Sequence, residues 1–299
     1  MDLVYKLNNH SSVSAFTRRV FQRITYPIFG AIVKLAVWRH NLQIIGRDHL
    51  MEAYKRRPLH TPLITISNHH SCLDDFILFG TLLSLFDLMH VDRYRWSLAA
   101  VDVCFTNARD CFFFTWGQGV PVWRRVRHPK TKLILHPGGG LYQPSMDFCL
   151  NLLNRGKWVH MYPQGRVIQP YERHQEDTFR LRWGVGRLIA ECREDPVVLP
   201  IWHCGFDELN PSDPPNIRST LSRILGRPRC LTVQVGEAVR LDAVRQQVGS
   251  PAQLAQQSEA SRSQVYAHVT QVVQDSLYSL KHNTEKTHSQ RLKTIRCSN

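Results

Sequence analysis

Five short apolar runs recur along the chain, at Pro62 to Ile66, Val120 to Trp123, Trp158 to Tyr162, Val197 to Trp202 and Cys230 to Val235. Their length and their β-branched and aromatic content predict buried strands. Between them the apolar spacing becomes helical. Phe76 to Met89 places Phe76, Phe79, Gly80 and Leu83 on one face, and Phe148 to Leu153 and Trp183 to Cys192 follow the same period. Gly- and Pro-dense stretches at His136 to Pro144 and Asn210 to Asn216 mark loops. Strands alternating with helices of this size predict a layered α/β domain, a central mixed sheet flanked by helices. No internal repeat is visible.

The two ends read differently. Arg18 to His40 is amphipathic and aromatic, but its longest uncharged run, Ile24 to Val33, falls short of the roughly 20 apolar residues that span a bilayer. An N-terminal helix lying in the membrane interface is expected, with Phe21, Tyr26, Phe29 and Trp38 among headgroups and the cations on phosphates. Pro251 to Leu280 carries a helical stripe of Val265, Val269, Val272, Val273 and Leu280, which predicts packing onto the domain. The expected organisation is a membrane-anchoring segment at 1–45, an α/β domain at 46–280, and a basic, disordered tail at 281–299.

Charge narrows the partners. A formal net charge of +14 favours a polyanion, either nucleic acid or an anionic membrane surface. The cations are dispersed and not interleaved with aromatics along one strand, which argues against nucleic acid. Eight cysteines stand singly without a C-x-x-C pair, so reduced, buried thiols are expected and neither a zinc ribbon nor a dithiol motif is signalled.

Candidate chemistry concentrates in "LITISNHHSCLDD", Leu63 to Asp75. Ser71 and Asp74 have the spacing of a capping box, with Ser71 at the N-cap and Asp74 and Asp75 in a first helical turn. His69 and Asp74 are five apart, about 140° around a regular helix, so they meet only if His69 lies in the turn ahead of it. A histidine so placed has its tautomer set by the carboxylate and can accept a proton at neutral pH. His69, His70, Asp74 and Asp75 are also potential metal ligands, although adjacent histidines diverge and no further ligand cluster follows. Base catalysis, metal binding and simple helix initiation all remain open on these residues.

The stretch Asn68-His69-x-Ser71-x-x-Asp74 resembles the H-x4-D motif of the glycerolipid acyltransferases. Further blocks follow in that family's order: "AAVDVCFTN", "VPVWR", "KWVHMYPQGRV", "FRLRWGVGRLIAEC" and "VVLPIWHCG", over most of Thr61 to Gly205. The resemblance implies that His69 is a general base and Asp74 its orienting partner. It implies that Arg124 and Arg166 hold headgroup phosphates, and that Gln164 and Gly165 shape the substrate site with Pro163. Backbone N–H groups near Gly165 are the oxyanion donors it suggests, and Pro200 is expected to end a strand and shape the acyl channel. Gln164 departs from the glutamate usual in that block, keeping two hydrogen-bonding directions but losing the charge. The implied activity is acyl exchange between phospholipids and lysophospholipids, with monolysocardiolipin as acceptor, phosphatidylcholine as donor and cardiolipin as product. No coenzyme A, cofactor or metal is expected. Mitochondrial membranes facing the intermembrane space are the implied location, and a homo-oligomer is compatible. The rivals are an acyl-CoA-dependent lysophospholipid acyltransferase and a lipid-binding protein whose catalysis has weakened.

Overall fold

The computed structural model describes residues 12–127, 131, 133–173, 180–210 and 217–297. Seven strands form the main sheet: β1 (Asn41–Ile45), β2 (Leu63–Ser67), β3 (Trp96–Ala100), β4 (Gly119–Val122), β7 (Trp158–Met161), β8 (Val197–Cys204) and β9 (Cys230–Val235). Their order across the sheet is β1-β9-β8-β2-β7-β3-β4. From β8 to β4 all neighbours are parallel, whereas β9 runs antiparallel to β8 and parallel to β1. The sheet is therefore mixed, and the carboxyl ends of β8, β2, β7, β3 and β4 share one edge. A separate two-stranded hairpin, β5 (Val126–Arg127) with β6 (Ile134–His136), follows β4.

The two-residue period of the strands sorts side chains between two cores. Ile64, Ile66, Val159, Met161, Val198 and Trp202 join the core covered by α4 (Pro144–Leu153), α5 (Gly184–Glu191) and the long α6 (Glu259–Cys297). Leu63, Trp158, Leu199, Ile201 and Val233 face the opposite core, under α1 (Ser12–Trp38), α2 (Asp74–Leu82) and α3 (Leu85–Met89). Polar residues are interleaved on that second face, among them Thr65 and His160, which satisfy one another with Trp158: Trp158 Nε1 donates to Thr65 Oγ1 at 2.9 Å, and Thr65 Oγ1 lies 2.8 Å from His160 Nδ1.

Helix α1 is continuous through Pro27. The stretch Phe16–Trp38 is long and apolar enough, by length and composition, to cross a membrane, with mean hydropathy 1.3. The 10-residue uncharged run understates this, because Arg23 and Lys34 interrupt the sequence without interrupting the helix. Tyr26, Val33 and Val37 are buried against the domain, while Phe16, Phe21, Ile24, Ile28, Ile32, Leu35 and Trp38 are exposed. Close docking depends on small residues: a Cβ on Gly80 would sit 2.7 Å from Val33 Cγ1.

Several expectations change. The segment assigned to the N-terminal anchor includes β1, which is paired along its whole length with β9 and so belongs to the domain. The tail expected to be disordered from 281 instead continues α6 to Cys297. Its polar residues bond to the sheet: Thr284 is buried, His288 Nδ1 lies 2.9 Å from Thr232 Oγ1, and Arg291 donates to the carbonyls of Leu231 and Asn41 at 2.6 and 2.7 Å. Pro200 does not end a strand. It lies inside β8 opposite Ile66, and pairing with β9 begins one residue later, at Ile201. A residue without an N–H is tolerated at that junction because its other side has no β9 partner to donate to.

Candidate active site

The turn after β2 is stitched to β8 before it reaches any reactive group. Asn68 behaves like an extra piece of backbone: its Nδ2 donates to the His203 carbonyl and its Oδ1 accepts the His203 N–H, both at 2.9 Å. The Asn68 carbonyl faces His203 Nε2 at 3.0 Å. A carbonyl only accepts, so His203 carries its proton on Nε2.

His69 follows, in the turn and ahead of α2. Its Nδ1 lies 2.9 Å from Asp74 Oδ2, and its ring stacks on Tyr162 with centroids 4.0 Å apart and planes 18° apart. Its own carbonyl accepts the Ile168 N–H at 2.7 Å. Clamped in this way the side chain keeps 20% exposure, whereas Asp74 has none. An ionised carboxylate accepts only, so Nδ1 donates and Nε2 is left as the basic nitrogen.

Asp74 is the hub. Its Oδ2 also accepts the backbone N–H groups of His70 and Ser71, at 2.6 and 2.9 Å, and His203 Nε2 stands 3.5 Å away. Burial pushes the Asp74 carboxyl up; His203, the His69 hydrogen bond and the Ser71 N–H outweigh it and hold the group below the ordinary aspartate range. The expected capping box is half present. The Asp74 carboxylate reaches back to the Ser71 N–H, but Ser71 Oγ donates to the Asn210 carbonyl and accepts from Leu73 N, and the helix begins at Asp74 itself.

The remaining candidates of this stretch have structural work. Asp75 pairs with the guanidinium of Arg95 and accepts from Ser97 Oγ at 2.7 Å, bracing α2 against β3. His70 is buried beside Asn68 Nδ2 at 3.1 Å, and burial, then His203, depress its basicity far below the usual histidine value. His160 and His203 are likewise lowered, chiefly by burial. Among the described residues no group of three His, Cys, Asp or Glu side chains is disposed to hold a metal ion.

At the end of β7, next to β2, the Pro163-Gln164-Gly165-Arg166 turn comes alongside His69. The Pro163 carbonyl accepts the Arg182 N–H at 2.8 Å. Gly165 adopts φ +77°, which a side chain would strain, and its N–H closes the turn onto the Tyr162 carbonyl at 2.9 Å. That N–H is therefore committed to the turn. Gln164 is buried, and neither polar atom of its amide has a protein partner. Arg166 is held by Glu172, 2.7 Å from both carboxylate oxygens. Arg124 follows β4, on the same edge but three strand spacings from β2, roughly 14 Å. It makes a bidentate pair with Asp102, Nε to Oδ1 at 2.9 Å and Nη2 to Oδ2 at 2.8 Å.

The structure thus brings together Asn68, His69, Ser71, Asp74, Pro163, Gln164 and Gly165. Arg166 and Arg124 lie along the same edge in ion pairs, and Pro200 sits within the sheet. Tyr162 was legible only as the end of a strand, and its stacking role follows from β7 lying beside β2. Asp102 was not legible either, because the strand it follows, β3, carries little signal in the sequence.

Residues 46–204 match the family model described as Acyltransferase. The chain belongs to the acyltransferase family. This acyltransferase is 32% identical over 254 residues to tafazzin of Drosophila melanogaster, covering 83% of this chain and 57% of that protein. It is 37% identical over 195 residues to N-acylphosphatidylethanolamine synthase of Arabidopsis thaliana, covering 65% and 62%. It is 28% identical over 213 residues to tafazzin of Saccharomyces cerevisiae, covering 60% and 52%. The chain spans between about half and three-fifths of the length of these relatives.

Proposed function

We propose that the protein transfers fatty acyl chains between membrane phospholipids, with a lysophospholipid hydroxyl as acceptor. The observation that carries this is the His69–Asp74 pair, with an oriented, partly exposed imidazole above a fully buried carboxylate. In the proposed reaction His69 Nε2 takes the proton of the acceptor hydroxyl as its oxygen attacks the donor ester carbonyl. Collapse of the tetrahedral intermediate expels the donor's glycerol oxygen, which recovers the proton from His69. One ester forms as another breaks, so no energy source is needed. Asp74 fixes the ring and stabilises the imidazolium. Arg124 and Arg166 would exchange their carboxylate partners for lipid phosphates, for which Arg is suited. The unpartnered Gln164 amide is the buried donor available to the substrate in place of the Gly165 N–H.

The likeness to tafazzins supports monolysocardiolipin as acceptor, phosphatidylcholine as donor, independence from coenzyme A and a mitochondrial membrane location. The likeness to N-acylphosphatidylethanolamine synthase, at the higher identity, supports a second acceptor class, the headgroup amine, which the same base could deprotonate. Purified protein is given labelled phosphatidylcholine with monolysocardiolipin or with phosphatidylethanolamine, each with and without acyl-CoA. Label is expected in cardiolipin without acyl-CoA, and His69→Ala should lower that rate about 10²- to 10⁴-fold. An undiminished rate in His69→Ala removes the base; a strict need for acyl-CoA changes the donor; label in the amide identifies the amine acceptor. Vesicle binding without any transfer by the native chain would leave only a lipid-binding protein.

A further inference from the structure

Arg166 and Arg124, on the site edge, are each already held by a carboxylate, from Glu172 and Asp102. Arg182 is different. It is exposed, and its guanidinium makes no ion pair or hydrogen bond with any described residue.

Its place is fixed by the turn that encloses His69. Tyr162 stacks on the His69 ring, and the Ile168 N–H donates to the His69 carbonyl at 2.7 Å, so the chain between them loops around the base. Within that loop the Pro163 carbonyl accepts the Arg182 N–H at 2.8 Å. The stem of Arg182 then crosses Gly165: a Cβ built there would stand 3.5 Å from Arg182 Cγ and 3.7 Å from its Nε. Backbone and stem thus carry the guanidinium on the catalytic turn without the help of a counter-charge. The fold gains nothing from this charge. Arg182 precedes α5, whose first turn has no acidic residue, so its charge adds to the positive end of the helix instead of offsetting it. An anion arriving at the turn would relieve both.

We propose that Arg182 receives the phosphate of the acceptor lysophospholipid and so sets which hydroxyl reaches His69. In a lysophospholipid the free glycerol hydroxyl and the phosphate are only a few bonds apart, so the group that holds the phosphate has to stand by the base. Arg124 follows a strand three spacings from β2, beyond that span, and Arg166 would first have to release Glu172. The Arg182 fork matches two phosphate oxygens and has no partner to give up. A free fatty acid would satisfy the same fork but brings no hydroxyl to His69. The inference rests on the reading of the acceptor as a lysophospholipid, and it names the side chain that positions it.

The native chain, Arg182→Gln and Arg182→Lys are assayed with labelled phosphatidylcholine, varying this donor and monolysocardiolipin separately. Arg182→Gln should raise KM for the acceptor about 10- to 100-fold, the range of a charge-assisted hydrogen bond, with the donor's KM near its native value. Arg182→Lys should fall between, since it keeps the charge and loses the fork. An unchanged acceptor KM, or an equal rise for both lipids, overturns the proposal. Binding is read without catalysis by titrating lysophosphatidylglycerol into each chain in a calorimeter, with inorganic phosphate as competitor. The lysolipid should bind Arg182→Gln at least about tenfold more weakly than the native chain. Equal binding by the two chains overturns the proposal, and so does inorganic phosphate that binds the native chain as tightly as the lysolipid, which would make this a free-phosphate site. Failure of the function above would show differently, as absent acyl transfer with the binding difference intact.

Discussion

At the scale of single residues, the imidazole of His69 is held on two sides by different forces. Asp74 fixes its edge through a hydrogen bond, and Tyr162 fixes its plane by stacking at 4.0 Å. Tyr162 rests in turn edge-on against His160, at 4.7 Å, which is bonded to Thr65 in β2. The Tyr162 hydroxyl is buried without a partner, and burial raises its pKa well above the usual value, so the phenol stays neutral and contributes only its ring. Replacing Tyr162 by Leu should therefore lower kcat about fivefold, from a stack worth about 1 kcal/mol, with KM unchanged. Tyr162→Phe should keep the native rate. A rate loss in the Phe variant as large as that in the Leu variant would assign the hydroxyl a chemical role instead. The adjacent carboxylates, alike in sequence, separate here. Asp74 faces the turn and Asp75 faces Arg95, because successive residues at a helix start point about 100° apart.

At the scale of elements, that second contact is the brace between α2 and the sheet. Arg95 is almost wholly buried, donates to the Gly117 carbonyl at 2.7 Å, and lies over the rings of Tyr94 and Phe79. Asp75→Asn strands this guanidinium without its counter-charge and should cost about 3 kcal/mol, measured by urea denaturation. Acyl transfer below the denaturation midpoint should change little. Strands β2, β4, β7, β8 and β9 were legible because each is a compact block of β-branched or aromatic residues. β1 and β3 were not. "NLQII" is half polar at the sheet's outer edge, and "WSLAA" sets Trp96 and Leu98 among small residues that carry little strand signal. The last stretch of α6 was hidden for a related reason. Its contacts with the sheet are polar, made by Thr284, His288 and Arg291, so hydrophobic periodicity stops near Leu280 although the helix does not. The meeting of His69 with Asp74 was foreseeable from five-residue spacing across a helix start. The reversed cap at Ser71 was not, since it depends on Asn210, far away in sequence.

At the scale of the molecule, three histidines packed in or beside the cores carry a shared pH signature. His70, His160 and His203 are each lowered below the ordinary value near 6.5, mainly by burial. The unfolded chain takes up protons at these positions before the folded one does, so their stability contribution is full above about 6.5 and is lost as pH falls through the folded values. Asp74, also depressed, adds its loss only at pH below about 3.9. The urea midpoint should fall steadily from pH 7.5 to 5.5, and His160→Gln, which retains a donor for Thr65, should flatten that slope. A midpoint indifferent to pH over this range would mean the histidines take up protons in the fold as readily as in the unfolded chain. The stitching of Asn68 to His203 has a wider consequence. It anchors the turn bearing His69 to two central strands, independently of the outer loops. Descendants of this scaffold can thus exchange one customer molecule for another by rewriting those outer loops, with the proton-handling apparatus inherited untouched.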